Sequence, residues 1–331
     1  MSISVRAVEA HGLIKDFGDN RAVDHVDLSV QTGSVYGVLG PNGAGKTTVI
    51  RMLATLLRPD GGSATVFGHD VAREAHIVRQ LIGVTGQYAS VDETLSAREN
   101  LFLFSRLNGL NSKAARAKSA ELLEEFGLTE AAKRPLKNFS GGMRRRLDLA
   151  ASLISQPPLI FLDEPTTGLD PRTRAQMWAT IRRLVATGST VLLTTQYLDE
   201  ADQLADRIAV IDHGKVVAEG TTDELKSTVG NSSLQLVLAD PAQLEQARAV
   251  IGAVLHVDAA LFPATGRINA PMAAPDAVTD LLVRLRDEGI AVTELSVQKP
   301  TLDEVFLTLT GRPATDEDAE TPERELETSR S

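Results

Sequence analysis

The rhythm of apolar and polar positions changes several times along the chain, and each change predicts a different kind of element. Alternation over Val5 to Leu13 and Val26 to Val30, followed by the unbroken apolar run Val35-Tyr36-Gly37-Val38-Leu39, predicts short strands. The pattern then becomes helical. Gly43 and Gly45 precede Lys46-Thr47-Thr48-Val49-Ile50-Arg51-Met52-Leu53, and the turn cluster Arg58-Pro59-Asp60-Gly61-Gly62 ends that helix. From Leu95 to Gly127 the chain reads as mostly helical, with Leu101, Phe104 and Leu107 on one segment and Leu122, Leu123 and Phe126 on another. Apolar strands at Leu159 to Leu162 and Val191 to Thr195 then alternate with helices. Alternation of this kind predicts an α/β core built on a parallel sheet.

Beyond Gly230 the texture shifts again. It predicts a strand at Leu234 to Leu238, helices at Pro241 to Ile251 and Pro275 to Glu288, and a strand at Ala291 to Val297. A final helix from Leu302 to Leu309 is expected to complete a small C-terminal α/β unit. Thr301 and Glu304 have the spacing of a capping box, and Leu302, Val305, Phe306 and Leu309 form one apolar stripe, so this helix must pack on something. The expected organisation is a large domain over 1–228, a small α/β domain over 229–312 and a tail over 313–331. The tail is acidic and poor in apolar residues, and is expected to stay disordered because it cannot offset its ordering entropy.

Composition narrows the function classes. With 44 Asp and Glu against 34 Lys and Arg, the net charge of -10 argues against a sequence-independent grip on nucleic-acid phosphates. The run Arg144 to Arg146 reads as a solvated helix face, because Leu147, Ala150, Ala151 and Ile154 mark the core side. The chain has no cysteine, which excludes disulfides and Cys-based metal sites. The six histidines are scattered without paired ligand spacing. No stretch approaches the roughly 18 apolar residues of a membrane span, so a membrane role would need a separate protein.

Chemistry enters at Gly40-Pro41-Asn42-Gly43-Ala44-Gly45-Lys46-Thr47, a G-x-x-x-x-G-K-[ST] loop placed after a strand and before a helix, with Thr48 beside it. Glycines let backbone N–H groups turn inward around phosphate oxygens, and the helix N-terminus adds positive partial charge. Lys46 can reach the β- and γ-phosphates, and Thr47 can ligate Mg²⁺. A second element is Leu159-Ile160-Phe161-Leu162-Asp163-Glu164, an apolar strand ending in two carboxylates. Beside a phosphate loop, Asp163 suits the surroundings of Mg²⁺, and Glu164 suits the polarisation of a water in line with the γ-phosphate.

Phe139-Ser140-Gly141-Gly142-Met143 precedes a helical segment, where Ser140 alone would be an ordinary N-cap. The order counts for more than any single motif: phosphate loop, Gln87, Ser-Gly-Gly, Asp-Glu strand, then Gly168-Leu169-Asp170. That ordered set resembles the ATP-binding-cassette family over residues 1 to about 225. The resemblance implies a cassette with a RecA-like core, an antiparallel β subdomain and a helical subdomain near 88–150, followed by the small C-terminal domain. It implies ATP and Mg²⁺ as ligands, a head-to-tail homodimer in the ATP-bound state, an integral membrane permease subunit as partner, and a peripheral place for this chain on the cytoplasmic face of the cell membrane.

Residue by residue, the resemblance carries Ser140, Gly141 and Gly142 over to the signature loop that closes on the partner's γ-phosphate. It makes Gln87 a contact to Mg²⁺ or the attacking water, Phe17 the aromatic that stacks on adenine, and Asp170 part of the loop between the two sites. Two positions depart from the family pattern. Met143 stands where Gln is usual, and Gln196 stands where the switch His is usual. Gln196 can donate a hydrogen bond to γ-phosphate but has no titrating proton near neutral pH. The segments Thr194 to Asp202 and Pro300 to Gly311 resemble the daunorubicin/doxorubicin-resistance subgroup of exporter ATPases. Export of a drug or antibiotic is therefore expected, against the alternatives of a non-transport cassette ATPase or a regulatory pseudo-ATPase.

Overall fold

Leu159 and Phe161 point to one hydrophobic core and Ile160 and Leu162 to another, so the strand that carries them must be covered on both faces. The computed structural model describes residues 6–85, 91–228, 232–272, 277–298 and 301–310. Gln87 and the segment 313–331 lie outside the described residues.

The chain begins with the antiparallel hairpin of β1 (Arg6–Phe17) and β2 (Asn20–Gln31), turned at Gly18 in left-handed conformation. Then come β3 (Val35–Leu39), the phosphate loop, α1 (Lys46–Leu53), β4 (Gly61–Val66), β5 (His69–Asp70), α2 (Ala75–Leu81) and β6 (Ile82–Thr85). Next are the helices α3 (Ala97–Leu107), α4 (Ser112–Glu125) and α5 (Gly141–Ser152). The core resumes with β7 (Leu159–Asp163), α6 (Pro171–Ala186), β8 (Thr190–Thr195), α7 (Leu198–Leu204), β9 (Arg207–Asp212), β10 (Lys215–Gly220) and α8 (Thr222–Ser227). The remainder is β11 (Ser232–Leu238), α9 (Leu244–Leu255), β12 (Ala260–Phe262), β13 (Arg267–Met272), α10 (Ala277–Asp287), β14 (Val292–Gln298) and α11 (Leu302–Thr310).

The central sheet runs β10-β9-β3-β8-β7-β6, parallel except for β10 against β9. Every residue of β3, β7 and β8 is buried, which explains why these strands read as continuous apolar runs instead of alternating ones. One face packs on the antiparallel sheet β2-β1-β4-β5 and on α1, through Leu13, Val26, Tyr36, Ile50, Phe161 and Leu192. The other packs on α3 to α6, through Leu101, Leu122, Leu147, Ile160, Ile181 and Leu193. The phosphate loop follows the C-terminal end of β3, where an open parallel sheet presents its crevice.

Residues 232–298 follow the order β-α-β-β-α-β, with the antiparallel sheet β12-β13-β11-β14, a ferredoxin-like unit. Its core joins Leu234, Leu236 and Ile268 of the sheet to Ile251 of α9 and Leu285 of α10. The sequence pattern missed β12 and β13, which are short and half exposed.

The last helix differs from the sequence expectation. α11 does not complete the small unit: Leu302, Val305 and Phe306 are buried with Leu39, Leu198, Ala201, Val210 and Leu225 of the large domain. An apolar stripe states that a helix packs without stating on what. The capping box does form, with Thr301 N–H donating to Glu304 Oε2 at 3.0 Å and Glu304 N–H to Thr301 Oγ1 at 3.3 Å.

Candidate nucleotide site

Phosphate-loop glycines are required here by space as well as by conformation. A Cβ on Gly40 would lie 2.2 Å from Ile211 O, and one on Gly45 would lie 2.4 Å from Ala22 O. Gly43 and Gly45 also hold positive φ, 80° and 105°. The loop is anchored at both ends, since Gly40 N–H donates to Thr195 O at the end of β8 and Ala44 O accepts from Gly214 N–H. Pro41, Asn42 and Ala44 complete the crown, and Thr48 lies in the first turn of α1.

Lys46 is 4% exposed. Its ammonium donates to Gly40 O at 2.8 Å and Pro41 O at 3.0 Å, and lies 3.4 Å from Glu164 Oε1. Burial lowers its pKa, opposed by the charges of Glu164 and Asp163. Thr47 Oγ1 donates to Asp163 Oδ1 at 3.0 Å, and Thr194 Oγ1 donates to the same oxygen at 2.6 Å. A hydroxyl beside a carboxylate is a hard-oxygen donor set that fits Mg²⁺. The sequence pattern places Thr194 in the strand Val191 to Thr195 without a role at the site; a hydroxyl following the apolar Val191-Leu192-Leu193 is the one signal of it.

Glu164 has left-handed backbone, φ 49°, which costs a residue other than glycine about 1–3 kcal/mol and persists only where its surroundings fix it. They do. Glu164 N–H lies 3.2 Å from Thr194 O and 3.0 Å from Thr194 Oγ1, and Arg145 Nη2 donates to Glu164 O at 2.8 Å. Thr167 Oγ1 lies 3.4 Å from Glu164 Oε2. The structure thus gathers Lys46, Thr47, Asp163 and Glu164 into one buried cluster at the C-terminal ends of β3 and β7.

Residues 23–167 match the family described as ABC transporter, and residues 220–310 match the C-terminal domain of ATP-binding proteins like DrrA1-3. The daunorubicin/doxorubicin resistance ATP-binding protein DrrA of Streptomyces peucetius is 56% identical over 319 residues, covering 95% of this chain and 96% of that protein. The chain belongs to the ATP-binding-cassette transporter family. It is an ATP-hydrolysing subunit of that family. The linearmycin resistance ATP-binding protein LnrL of Bacillus subtilis is 37% identical over 92% of this chain and 98% of its own length. The solved structure of an ATP-binding subunit of an ABC transporter, 26% identical, superposes with a TM-score of 0.61 over 67% of this chain and 92% of its own. Among the described residues no helix is long and apolar enough to cross a membrane.

The other candidate residues sit on separate elements of the fold. Ser140 is the N-cap of α5, its Oγ accepting from Met143 N–H at 3.3 Å, and it is exposed together with Gly141. Gly142 is buried against α6, where a Cβ would lie 2.3 Å from Thr173 Cγ2. Met143 packs its side chain into the helical core, a place that suits a thioether better than an amide. Asp170 caps α6 by accepting from Thr173 N–H at 3.0 Å and Thr173 Oγ1 at 2.7 Å, and these bonds hold its pKa down. Gln196 follows β8 directly and is half-buried. Phe17 ends β1 half exposed, with the Lys15 ammonium 5.6 Å from its ring centroid.

The three arginines are not a solvated face. Arg144 bonds Glu93 at 2.6 Å, Arg145 bonds the Glu164 carbonyl, and Arg146 donates to Phe126 O at 3.1 Å with its pKa lowered by burial. They staple α5 to neighbouring loops, a use that charge counting alone does not reveal.

Proposed function

We propose that this subunit binds Mg-ATP in the cluster of Lys46, Thr47, Asp163 and Glu164 and drives efflux of an amphipathic drug or antibiotic. The efflux path is a separate membrane permease subunit, and the chain acts peripherally at the cytoplasmic face. The observation that carries the reading is Glu164: a buried carboxylate held in strained backbone, 3.4 Å from the phosphate-loop lysine. Resistance proteins at 56% and 47% identity, from Streptomyces peucetius and Mycobacterium tuberculosis, support the drug class.

Mg²⁺ supplies charge neutralisation at the β- and γ-phosphates. Thr47 and Asp163 would hold it. Lys46 has three donors, and the two now given to loop carbonyls are available to phosphate oxygens that enter the loop. Glu164 accepts hydrogen bonds from a water and polarises it, with its carboxylate kept in place by Thr194 and Arg145 acting on its backbone. Gln196 would donate its amide N–H to the γ-phosphate, and Gln87 would contact Mg²⁺ or the water. Ser140, Gly141 and Gly142 serve the phosphate held by a second copy, which fits their exposure at a helix N-terminus. Phe17 serves as the adenine shelf, and Asp170 presents its loop to the second copy.

The test is ATP-dependent transport of an anthracycline into inverted membrane vesicles holding this chain and its membrane subunit. Uptake that needs both ATP and an intact Lys46 supports the reading. Uptake that ignores the Lys46→Ala substitution overturns it.

A further inference from the structure

Behind the phosphate cluster lies a second buried group that catalysis as described does not use. Glu200, on α7, is wholly buried. Trp178 of α6 donates its indole N–H to Glu200 Oε1 at 3.1 Å. The hydroxyls of Thr195, at the end of β8, and Thr166, two residues beyond Glu164, also face this carboxyl and favour its charged form, as does the charge of Arg174. Burial opposes them and raises its pKa overall.

Two atoms are left over. Among the described residues neither Glu200 Oε2 nor Thr166 Oγ1, both buried, makes a hydrogen bond of good length and angle: the Thr166 hydroxyl is near enough to favour the carboxylate but does not close on it. A buried orphan acceptor facing a buried orphan donor is costly as it stands, and a small movement of the loop would relieve both. The loop in question runs from Glu164 to Asp170. Tyr197, next to Gln196, is held from the same side, with the Arg174 guanidinium 4.7 Å from its ring centroid.

Building on the proposed nucleotide site, we propose that Glu200 is a positioning residue that locks the Glu164–Asp170 loop, through Thr166, to the Gln196 switch, through Thr195. Trp178 is the third anchor, so the loop facing a second copy and the residue facing the γ-phosphate move together. Closure of the Thr166–Glu200 bond belongs to the nucleotide-bound arrangement. Trp178 is the only tryptophan of the chain, so its emission reports on this junction.

The experiment compares the full-length wild type with Glu200→Ala, Glu200→Gln and Thr166→Val, reading tryptophan emission on addition of Mg-ATP, together with kcat and KM for ATP. The wild type should change its emission. Glu200→Ala should lose that change and at least tenfold in kcat, with KM altered less than twofold, and Glu200→Gln should recover most of kcat by keeping an acceptor for Trp178. Thr166→Val, isosteric and lacking only the hydroxyl, should lower kcat in the same manner, and it decides the matter if Glu200→Ala does not fold. Wild-type kcat and emission in Thr166→Val would overturn the proposal, as would parallel losses of kcat, ATP affinity and Tm in both Glu200 variants. If the wild type binds ATP without hydrolysing it, the functional reading fails; the emission change in wild type against Thr166→Val still decides the Glu200 link.

Discussion

Thr47 Oγ1 and Asp163 Oδ1 meet at 3.0 Å, joining the first turn of α1 to the last residue of β7 across 116 residues of sequence. Thr194 holds the same carboxylate oxygen at 2.6 Å, so Asp163 is oriented from both helix α1 and strand β8. Asp163→Asn keeps the shape and removes the charge. It is expected to raise the Mg²⁺ concentration needed for half-maximal ATPase at least tenfold, about 1.4 kcal/mol, with the Tm little changed. A magnesium titration of the rate, wild type against variant, checks this.

Lys46→Ala removes a buried ammonium and leaves Glu164 without its counter-charge at 3.4 Å. Loss of charge-assisted contacts to phosphate should raise the Kd for ATP tenfold or more, since each such bond contributes about 1.5–3 kcal/mol. Calorimetric titration with a non-hydrolysable analogue measures it.

A clash defines the next prediction. A methyl on residue 142 would lie 2.3 Å from Thr173 Cγ2, the side chain that also bonds Asp170. Gly142→Ala should therefore cost about 1–3 kcal/mol by overpacking and disturb the Asp170 cap. Combining it with Thr173→Ser, which removes the offending methyl and keeps the hydroxyl, should restore much of the stability in urea unfolding.

Much of this was legible from the sequence, for reasons that differ from residue to residue. The phosphate loop and the Asp163-Glu164 strand are local patterns, so spacing alone places them at strand ends. The apolar runs within β3, β7 and β8, strands that are buried throughout, announce a parallel core covered on both faces. Glu200 was not legible: in Leu198-Asp199-Glu200-Ala201 it looks like any helical acid beside exposed Asp199, and its burial follows only from α6 folding across it. Arg145 and the docking of α11 depend likewise on contacts distant in sequence, which a periodic pattern cannot encode.

The packing of α11 on the large domain makes a prediction of its own. Phe306 is buried among Leu198, Ala201 and Leu225, whereas Leu307 beside it is 48% exposed. Phe306→Ala should destabilise by about 3–5 kcal/mol and Leu307→Ala by no more than about 0.5 kcal/mol. Equal effects on the Tm would contradict the packing.

In its proposed role Gln196 would hold phosphate without moving protons. Gln196→Ala should lower kcat about tenfold for each 1.4 kcal/mol of transition-state contact removed. Gln196→His should stay active and gain a pH dependence near the reference histidine pKa of about 6.5 that the wild type lacks. pH–rate profiles of the three forms at saturating Mg-ATP check both statements, and equal rates for wild type and Ala at every pH would make Gln196 a bystander.

On the proposed mechanism the Glu164 carboxylate, its backbone fixed by Thr194 and Arg145, activates the water that cleaves ATP. Glu164→Gln keeps the side chain's size and hydrogen-bonding reach while removing its charge. The direct measurement is single-turnover hydrolysis by this variant beside ATP binding and sedimentation of the same sample. The expected result is wild-type ATP affinity, hydrolysis reduced by about 10²-fold or more, and a dimer that persists while ATP remains uncleaved. Hydrolysis at the wild-type rate, with a monomer–dimer equilibrium indifferent to ATP, would contradict it.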